Sequence, residues 1–126
     1  MPPQVDPAEP ITRYIFSSSH FSPQANRIKH NAFMPPASGG TSVFRTSGLV
    51  ETDIWAIGQG ISTQRSQQLH ARGDLFSSDV LSVSLAVEPS EPPPRHANIT
   101  GWPQEKDLIK LKAMELADKA TLRLPP

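Results

Sequence analysis

Two histidines and two arginines are the residues of this sequence best suited to chemistry. His20 follows a run of three serines and Arg45 closes a short apolar segment, whereas Arg95 and His96 are adjacent behind three prolines. Histidine exchanges a proton near neutral pH, and the planar guanidinium of arginine binds phosphate or carboxylate through paired hydrogen bonds. The combination predicts a site for an anionic ligand, with Arg45 and Arg95 as ligand-binding residues.

Residues 91–103, with the sequence EPPPRHANITGWP, are the densest group of unusual side chains in the chain. The prolines restrict the backbone before Arg95 and lower the entropy lost when the segment is held in place. Trp102 would stack on a base or anchor a partner if it were exposed, so we predict it as a third ligand-binding residue. The structural alternative is that Arg95 pairs with a nearby glutamate, His96 bonds to a backbone carbonyl and Trp102 completes the core.

A catalytic alternative uses the two histidines as a pair. If His20 and His96 met across a cleft, they would act as base and acid on a phosphoester. Arg45 or Arg95 would then stabilise the charge that develops in the transition state. This would be a metal-independent phosphoesterase or ribonuclease. Distant histidine pairs are common by chance, so we rank catalysis below simple binding.

Other kinds of chemistry lack their sequence pattern. The four histidines are scattered without HxH or HExxH spacing, and we predict no metal site and no cofactor. The glycine pairs at 39–40 and 58–60 lack the lysine of a phosphate loop. Serines 17–19 lie beside His20, but neighbours in sequence rarely reach each other productively, and no GxSxG pattern is present. We therefore expect no acyl-transfer chemistry.

Composition narrows the class of protein. Twelve basic and twelve acidic side chains cancel, so no overall field draws the chain to nucleic acid or a membrane. The absence of cysteine excludes disulfides and a thiolate nucleophile. The chain does not begin like a secretory signal and has no apolar run near the roughly 20 residues that span a bilayer. We expect a soluble, cytoplasmic protein with no membrane contact. Residues 11–50 contain no Asp or Glu, which favours a local basic surface.

Hydrophobic patterns place these residues in an α+β domain. Apolar residues recur at helical spacing over residues 49–60 and 103–120, and residues 69–76 fit a strand or an irregular crossing. Strands are predicted where β-branched residues cluster or alternate with polar ones: residues 11–16, 42–46, 81–87 and 121–124. We predict a small, largely antiparallel sheet of about four strands covered by two helices, with long Pro-rich loops.

The fourteen prolines are more than the usual share of about 5% would supply. They suggest a disordered or extended Pro-rich arm at residues 1–10, a single compact domain at 11–124 and a tail at 125–126. The preferred function is binding of a nucleotide, phosphate metabolite or RNA through an Arg/His surface. The non-catalytic alternative is an adaptor or subunit of a larger complex, which would contact a protein partner through the Pro-rich segments.

Overall fold

A computed structural model describes residues 5–37 and 39–126, and these form an α+β domain around one large antiparallel sheet. The predicted class and the antiparallel character of the sheet are confirmed. Its six strands are ordered β6-β7-β4-β1-β5-β8, and β2 pairs with β3 in a separate hairpin. The strands are β1 (Pro10–Ile15), β2 (Phe21–Ser22), β3 (Arg27–Ile28), β4 (Thr41–Arg45), β5 (Ala71–Phe76), β6 (Ala86–Pro89), β7 (His96–Thr100) and β8 (Thr121–Arg123).

Three α-helices complete the described chain: α1 (Glu51–Arg65), α2 (Ser77–Leu81) and α3 (Lys106–Lys119). Two short 3-10 turns, at Ser18–His20 and His30–Ala32, flank the hairpin. Within the described residues, no helix has both the length and the apolar character needed to cross a membrane.

The predicted count of about four strands and two helices is too low, and one predicted strand is wrong. Residues 81–87 were expected to form a single strand, but Leu81 ends α2 and β6 begins only at Ala86. The physical reason is local. The carboxylate of Asp79 accepts a hydrogen bond of 2.8 Å from the N–H of Phe76, which starts a helix at this point. Val83 and Leu85 are buried in the turn that follows. Their alternation with polar residues therefore arises from burial of a turn and does not indicate a strand.

The N-terminal segment is described from Val5 onward, and residues 1–4 of the predicted arm lie outside the described residues. Val5 is buried against the core and Pro10 already belongs to β1. Glu9, between them, accepts two hydrogen bonds from Arg45 of β4.

Alternation along β1 separates two hydrophobic layers, one on each face of the sheet. Ile11 and Ile15 belong to the larger layer, together with Ile99 of β7 and Leu116 of α3. The other layer is smaller and lies under α1. Its buried members are Tyr14, Phe44, Ile54 and Leu69.

Helix α1 covers the β1–β5 part of its face of the sheet. The hydroxyl of Tyr14 donates a hydrogen bond of 2.5 Å to the carbonyl of Ile54, and the guanidinium of Arg72 in β5 lies 4.8 Å from the ring centroid of Trp55. On the same face, Ser42 of β4 and His96 of β7 are only half-buried. The β4–β7 part of this face is therefore where side chains are accessible.

Candidate functional site

The pairing of β4 with β7 brings a serine and a histidine together on one face of the sheet. Ser42 lies opposite Asn98, and Phe44 lies opposite His96. Directly opposed residues share a face of a sheet, and so do residues two apart on one strand. Ser42 and His96 are therefore diagonal neighbours, and Ser42 Oγ lies 2.5 Å from His96 Nε2.

The second ring nitrogen of His96 determines the direction of this hydrogen bond. Nδ1 lies 2.9 Å from the carbonyl oxygen of Ser90. A carbonyl oxygen only accepts, so Nδ1 carries a proton, and Nε2 of the neutral ring is then an acceptor. The hydroxyl of Ser42 therefore donates to His96. The carbonyl contact is the structural alternative considered for His96 in the sequence, and the serine was not foreseen.

The orientation of His96 is fixed on two further sides. The N–H of Ser90 donates to the carbonyl of His96 at 2.9 Å, so the two residues bond to each other through both backbone and side chain. The ring of Phe44 meets the imidazole in a T-shaped contact, with centroids 5.3 Å apart. The imidazole is thus held in one orientation by these contacts.

Asn98 extends the site towards the first residues of β4. A Cβ atom added to Gly40 would lie 2.9 Å from Cβ of Asn98, so glycine leaves the space that the asparagine side chain occupies. None of the side-chain hydrogen bonds within the described residues uses the carboxamide of Asn98. Its N–H groups are therefore available to a ligand next to Ser42.

A cavity of about 890 Å³, which we call the α3 cavity, begins at Asn98 and runs to the first two turns of α3. Trp102 forms part of its wall, and the indole N–H donates to the carbonyl of Ile99 at 2.9 Å. The lining combines apolar side chains with two lysines. It consists of Met34, Pro35, Pro36, Ala37, Gly39, Gly40, Asn98, Thr100, Gly101, Trp102, Pro103, Lys106, Asp107, Ile109 and Lys110.

Arg13 lies where β1 and β4 separate. The two strands pair only at residues 11–12 of β1. Beyond that point the guanidinium of Arg13 connects β1 to β4 by a side-chain hydrogen bond. Nη1 donates to the carbonyl of Ser42 at 2.8 Å, and Nε donates to that of Ala32 at 2.9 Å. Burial, and secondly the charge of Arg65, lowers the pKa of Arg13 to about 10. Among the described residues Arg13 has no carboxylate partner.

His20, at the end of the first 3-10 turn, is also influenced by Arg13. Burial lowers the pKa of His20, and the charge of Arg13 lowers it further. Arg13 is thus linked to both predicted catalytic histidines, to His20 through charge and to His96 through Ser42. The hypothesis of a histidine pair would still require His96 to release Ser42, since both of its ring nitrogens have partners.

Arg45 and Arg95 lie together, away from the imidazole of His96. Arg45 alternates with Phe44 along β4, so its side chain lies on the opposite face of the sheet from the imidazole. Its Nε and Nη2 each donate to a carboxylate oxygen of Glu9 at 2.9 Å. Nη1 of Arg95 donates to the carbonyl of Ser47 at 3.0 Å. Carboxylate and carbonyl oxygens already occupy donors of both guanidinium groups.

In the part of the chain that the structure describes, no three His, Asp or Glu side chains come together as a metal site would require. Comparisons with protein-family models, curated proteins and solved structures found no match for this chain. Its function must therefore be argued from the site itself.

His96 and Trp102 are among the residues predicted from the sequence, whereas Ser42, Asn98 and Arg13 are not. Ser42 lies in a predicted strand, whereas no strand is predicted over residues 96–100. The signal that would have found the pair is the register between those two strands.

Proposed function

We propose that this protein binds a small organic anion in the α3 cavity. The observation that carries the proposal is the cavity itself: its volume of about 890 Å³ lies within the roughly 300–1,000 Å³ typical of ligand pockets. Trp102 and Ile109 give it an apolar wall, and Lys106 and Lys110 give it positive charge. A ligand with a flat apolar body and a phosphate or carboxylate group fits this combination.

The charges of the cavity favour an anion. Lys106 and Lys110 are one helical turn apart and therefore share a side of α3. Neither forms an ion pair with a described residue. Both lie in the first turns of α3, where the helix dipole adds positive potential. Asp107 is the single carboxylate of the lining and reduces this potential only in part.

A concave site of this kind favours a nucleotide or a phosphate-bearing metabolite over RNA. The twelve acidic residues balance the twelve basic ones, whereas RNA-binding domains commonly carry a basic surface. Of the ligands considered from the sequence, a nucleotide or phosphate metabolite is therefore preferred and RNA is not. The proposal also moves the site from Arg45 and Arg95 to the two lysines beside Trp102.

A thermal-shift screen with nucleotides and phosphorylated metabolites at millimolar concentration tests the proposal. A ligand present at 100 times its Kd stabilises the folded state by about 2.7 kcal/mol. We expect at least one compound of this class to raise Tm, and the Lys106→Gln/Lys110→Gln double variant to lose most of that shift. Lys119→Gln, on the same helix but outside the cavity lining, is the matched control and should keep it. If no anion raises Tm, or if the double variant responds as the wild type does, the proposal is wrong.

The adaptor hypothesis is second, and one structural feature favours it. Leu108, Leu111 and Met114 lie along α3 with 45%, 51% and 48% of their surfaces exposed. Exposed apolar residues also occur on many monomeric proteins, so this stripe supports an interaction less strongly than the cavity supports a ligand.

A further inference from the structure

The hydrogen bond from Ser42 to His96 is the arrangement that activates a serine hydroxyl for attack. We propose that Ser42 is a nucleophile, that His96 is its general base, and that the protein hydrolyses carboxylic esters. This activity goes beyond ligand binding in the α3 cavity, and it reverses the expectation from the sequence that acyl-transfer chemistry is absent.

Two hydrogen bonds of the arrangement match a serine nucleophile. The hydroxyl of Ser42 donates to Nε2 of His96, so the proton that the base must remove already points at Nε2. Nδ1–H of His96 donates to the carbonyl of Ser90, which selects the tautomer with a free lone pair at Nε2. In the better known triads a carboxylate takes the place of this carbonyl and stabilises the imidazolium. A neutral carbonyl stabilises it less, so we expect a slow enzyme.

The surroundings of Ser42 also suit the negative charge that develops on the carbonyl oxygen of the ester. Asn98 lies directly opposite Ser42, and its carboxamide has no partner among the described residues. Asparagine N–H groups are established donors to such an oxyanion. The guanidinium of Arg13, bound to the backbone carbonyl of Ser42, adds a positive charge close by. Asn98 also lines the α3 cavity, so it lies between that cavity and the nucleophile.

The reaction divides into two balanced steps. Oγ of Ser42 attacks the ester carbonyl carbon while its proton passes to Nε2 of His96, and the tetrahedral intermediate expels the alcohol, which takes that proton. The acyl group is then bound to Oγ. In the second step, a water molecule gives a proton to Nε2 and attacks the acyl carbon. Oγ leaves and recovers the proton, and the carboxylic acid product is released.

A fluorophosphonate probe and p-nitrophenyl butyrate test the chemistry directly. We expect mass spectrometry to locate the phosphonyl group on Ser42, and ester hydrolysis to be lost in Ser42→Ala. His96→Gln should lower the rate by at least about 100-fold, the usual minimum for general-base catalysis. Ser18→Ala is the matched control because Ser18 is exposed in the first 3-10 turn, and it should retain labelling. Absence of labelling in the wild type, or equal labelling of Ser42→Ala, would overturn the proposal.

A second measurement does not depend on turnover. The chain contains no cysteine, so Ser42→Cys introduces a single thiol, and the rate of its alkylation by iodoacetamide against pH reports its pKa. We expect a value well below the ordinary value of about 8.5, and a return towards 8.5 when His96→Gln is added. Ser18→Cys should be insensitive to His96→Gln. If the thiol at position 42 titrates near 8.5 with His96 present, the pair is a structural hydrogen bond.

The esterase activity and the binding of anions in the α3 cavity can be tested separately. Lys106→Gln/Lys110→Gln should abolish anion binding while leaving the labelling of Ser42 intact. Loss of the nucleophile in Ser42→Ala should leave the thermal shift by anions in place.

Discussion

Ser42 Oγ lies 2.5 Å from His96 Nε2, although 54 residues separate the two along the chain. They meet because β7 pairs with β4 after the intervening chain has built α1, β5, α2 and β6. The contact depends on register. A shift of one residue between the two strands would turn one of the two side chains to the opposite face of the sheet.

The contact between α1 and β1 predicts an unusual response to alanine at Gly58. In an exposed helix position, glycine to alanine stabilises by roughly 0.5–1 kcal/mol. At Gly58 a Cβ atom would lie 2.7 Å from ring carbons of Tyr14 and 2.8 Å from Cδ2 of Leu69. We therefore expect Gly58→Ala to lower the free energy of unfolding by about 1–3 kcal/mol, as overpacking does. Urea unfolding measures the change.

Gly60 provides the control on the same helix, since a Cβ atom there would meet nothing within 4 Å. Gly60→Ala should leave stability unchanged or raise it by up to about 1 kcal/mol. Two alanine variants with the same effect would contradict the described packing of α1.

Most elements that the sequence predicts are those whose signal is local. The apolar spacing around Ile54 and around Leu116 corresponds to α1 and α3, and the residues of β1, β4 and β8 have strand character of their own. Strand β7 was missed because its sequence, HANIT, follows three prolines and contains one large apolar residue. It forms a strand because β4 and β6 pair with it on both sides.

The contacts around His96 could be predicted only in part, because they also depend on which strands pair. The imidazole of His96 was identified by its chemistry, but a serine in a strand carries no signal of reactivity. Likewise, the acid-free stretch drew attention to Arg45, whereas Glu9, just before that stretch, already pairs with it. Which arginine remains without a carboxylate depends on tertiary contacts.

The guanidinium of Arg72 binds two carboxylates, and we expect them to contribute unequally to the free energy of unfolding. Its side chain is 2% exposed and forms ion pairs with Asp74 at 3.0 Å and Glu51 at 2.6 Å. Burial alone would lower the pKa of Arg72, but the hydrogen bonds to Asp74 and Glu51 raise it above its ordinary value. Asp74→Asn removes one of the negative charges that compensate the buried guanidinium. We expect it to lower the free energy of unfolding by about 2–3 kcal/mol, as measured by urea unfolding.

Glu51→Gln is the matched comparison, because the Glu51 side chain is 64% exposed against 29% for Asp74. An exposed partner contributes at most about 1 kcal/mol. A larger loss for Glu51→Gln than for Asp74→Asn would show that Arg72 is not organised as described.

The influence of Arg13 on His20 predicts a measurable change in titration. The pKa of His20 is lowered from its ordinary 6.5 by burial and, secondly, by the charge of Arg13. Arg13→Gln should therefore raise the pKa of His20 part of the way back, which an NMR titration of the imidazole protons would follow. Arg27→Gln, which removes an exposed arginine from the hairpin, should leave it unchanged. Equal titration of His20 in the wild type and in Arg13→Gln would contradict their proximity.

The pair formed by Glu9 and Arg45 predicts how stability depends on acidity. The hydrogen bonds from Arg45 lower the pKa of Glu9 below 4.5 even though burial opposes the shift. The unfolded chain therefore binds this proton more readily than the folded one. The stabilisation is complete above the unfolded pKa and disappears as pH falls through the folded value. At pH 7, Glu9→Gln should lower the free energy of unfolding by about 1 kcal/mol.

The difference between the wild type and Glu9→Gln should shrink when urea unfolding is repeated near pH 3, because the carboxylate is then increasingly protonated in both states. Glu88→Gln is the control, since Glu88 is exposed and forms no ion pair with a described residue. It should change stability by less than about 0.5 kcal/mol at either pH. A difference for Glu9→Gln that stayed constant between pH 7 and pH 3 would mean that the charge of Glu9 does not stabilise the N-terminal segment through Arg45.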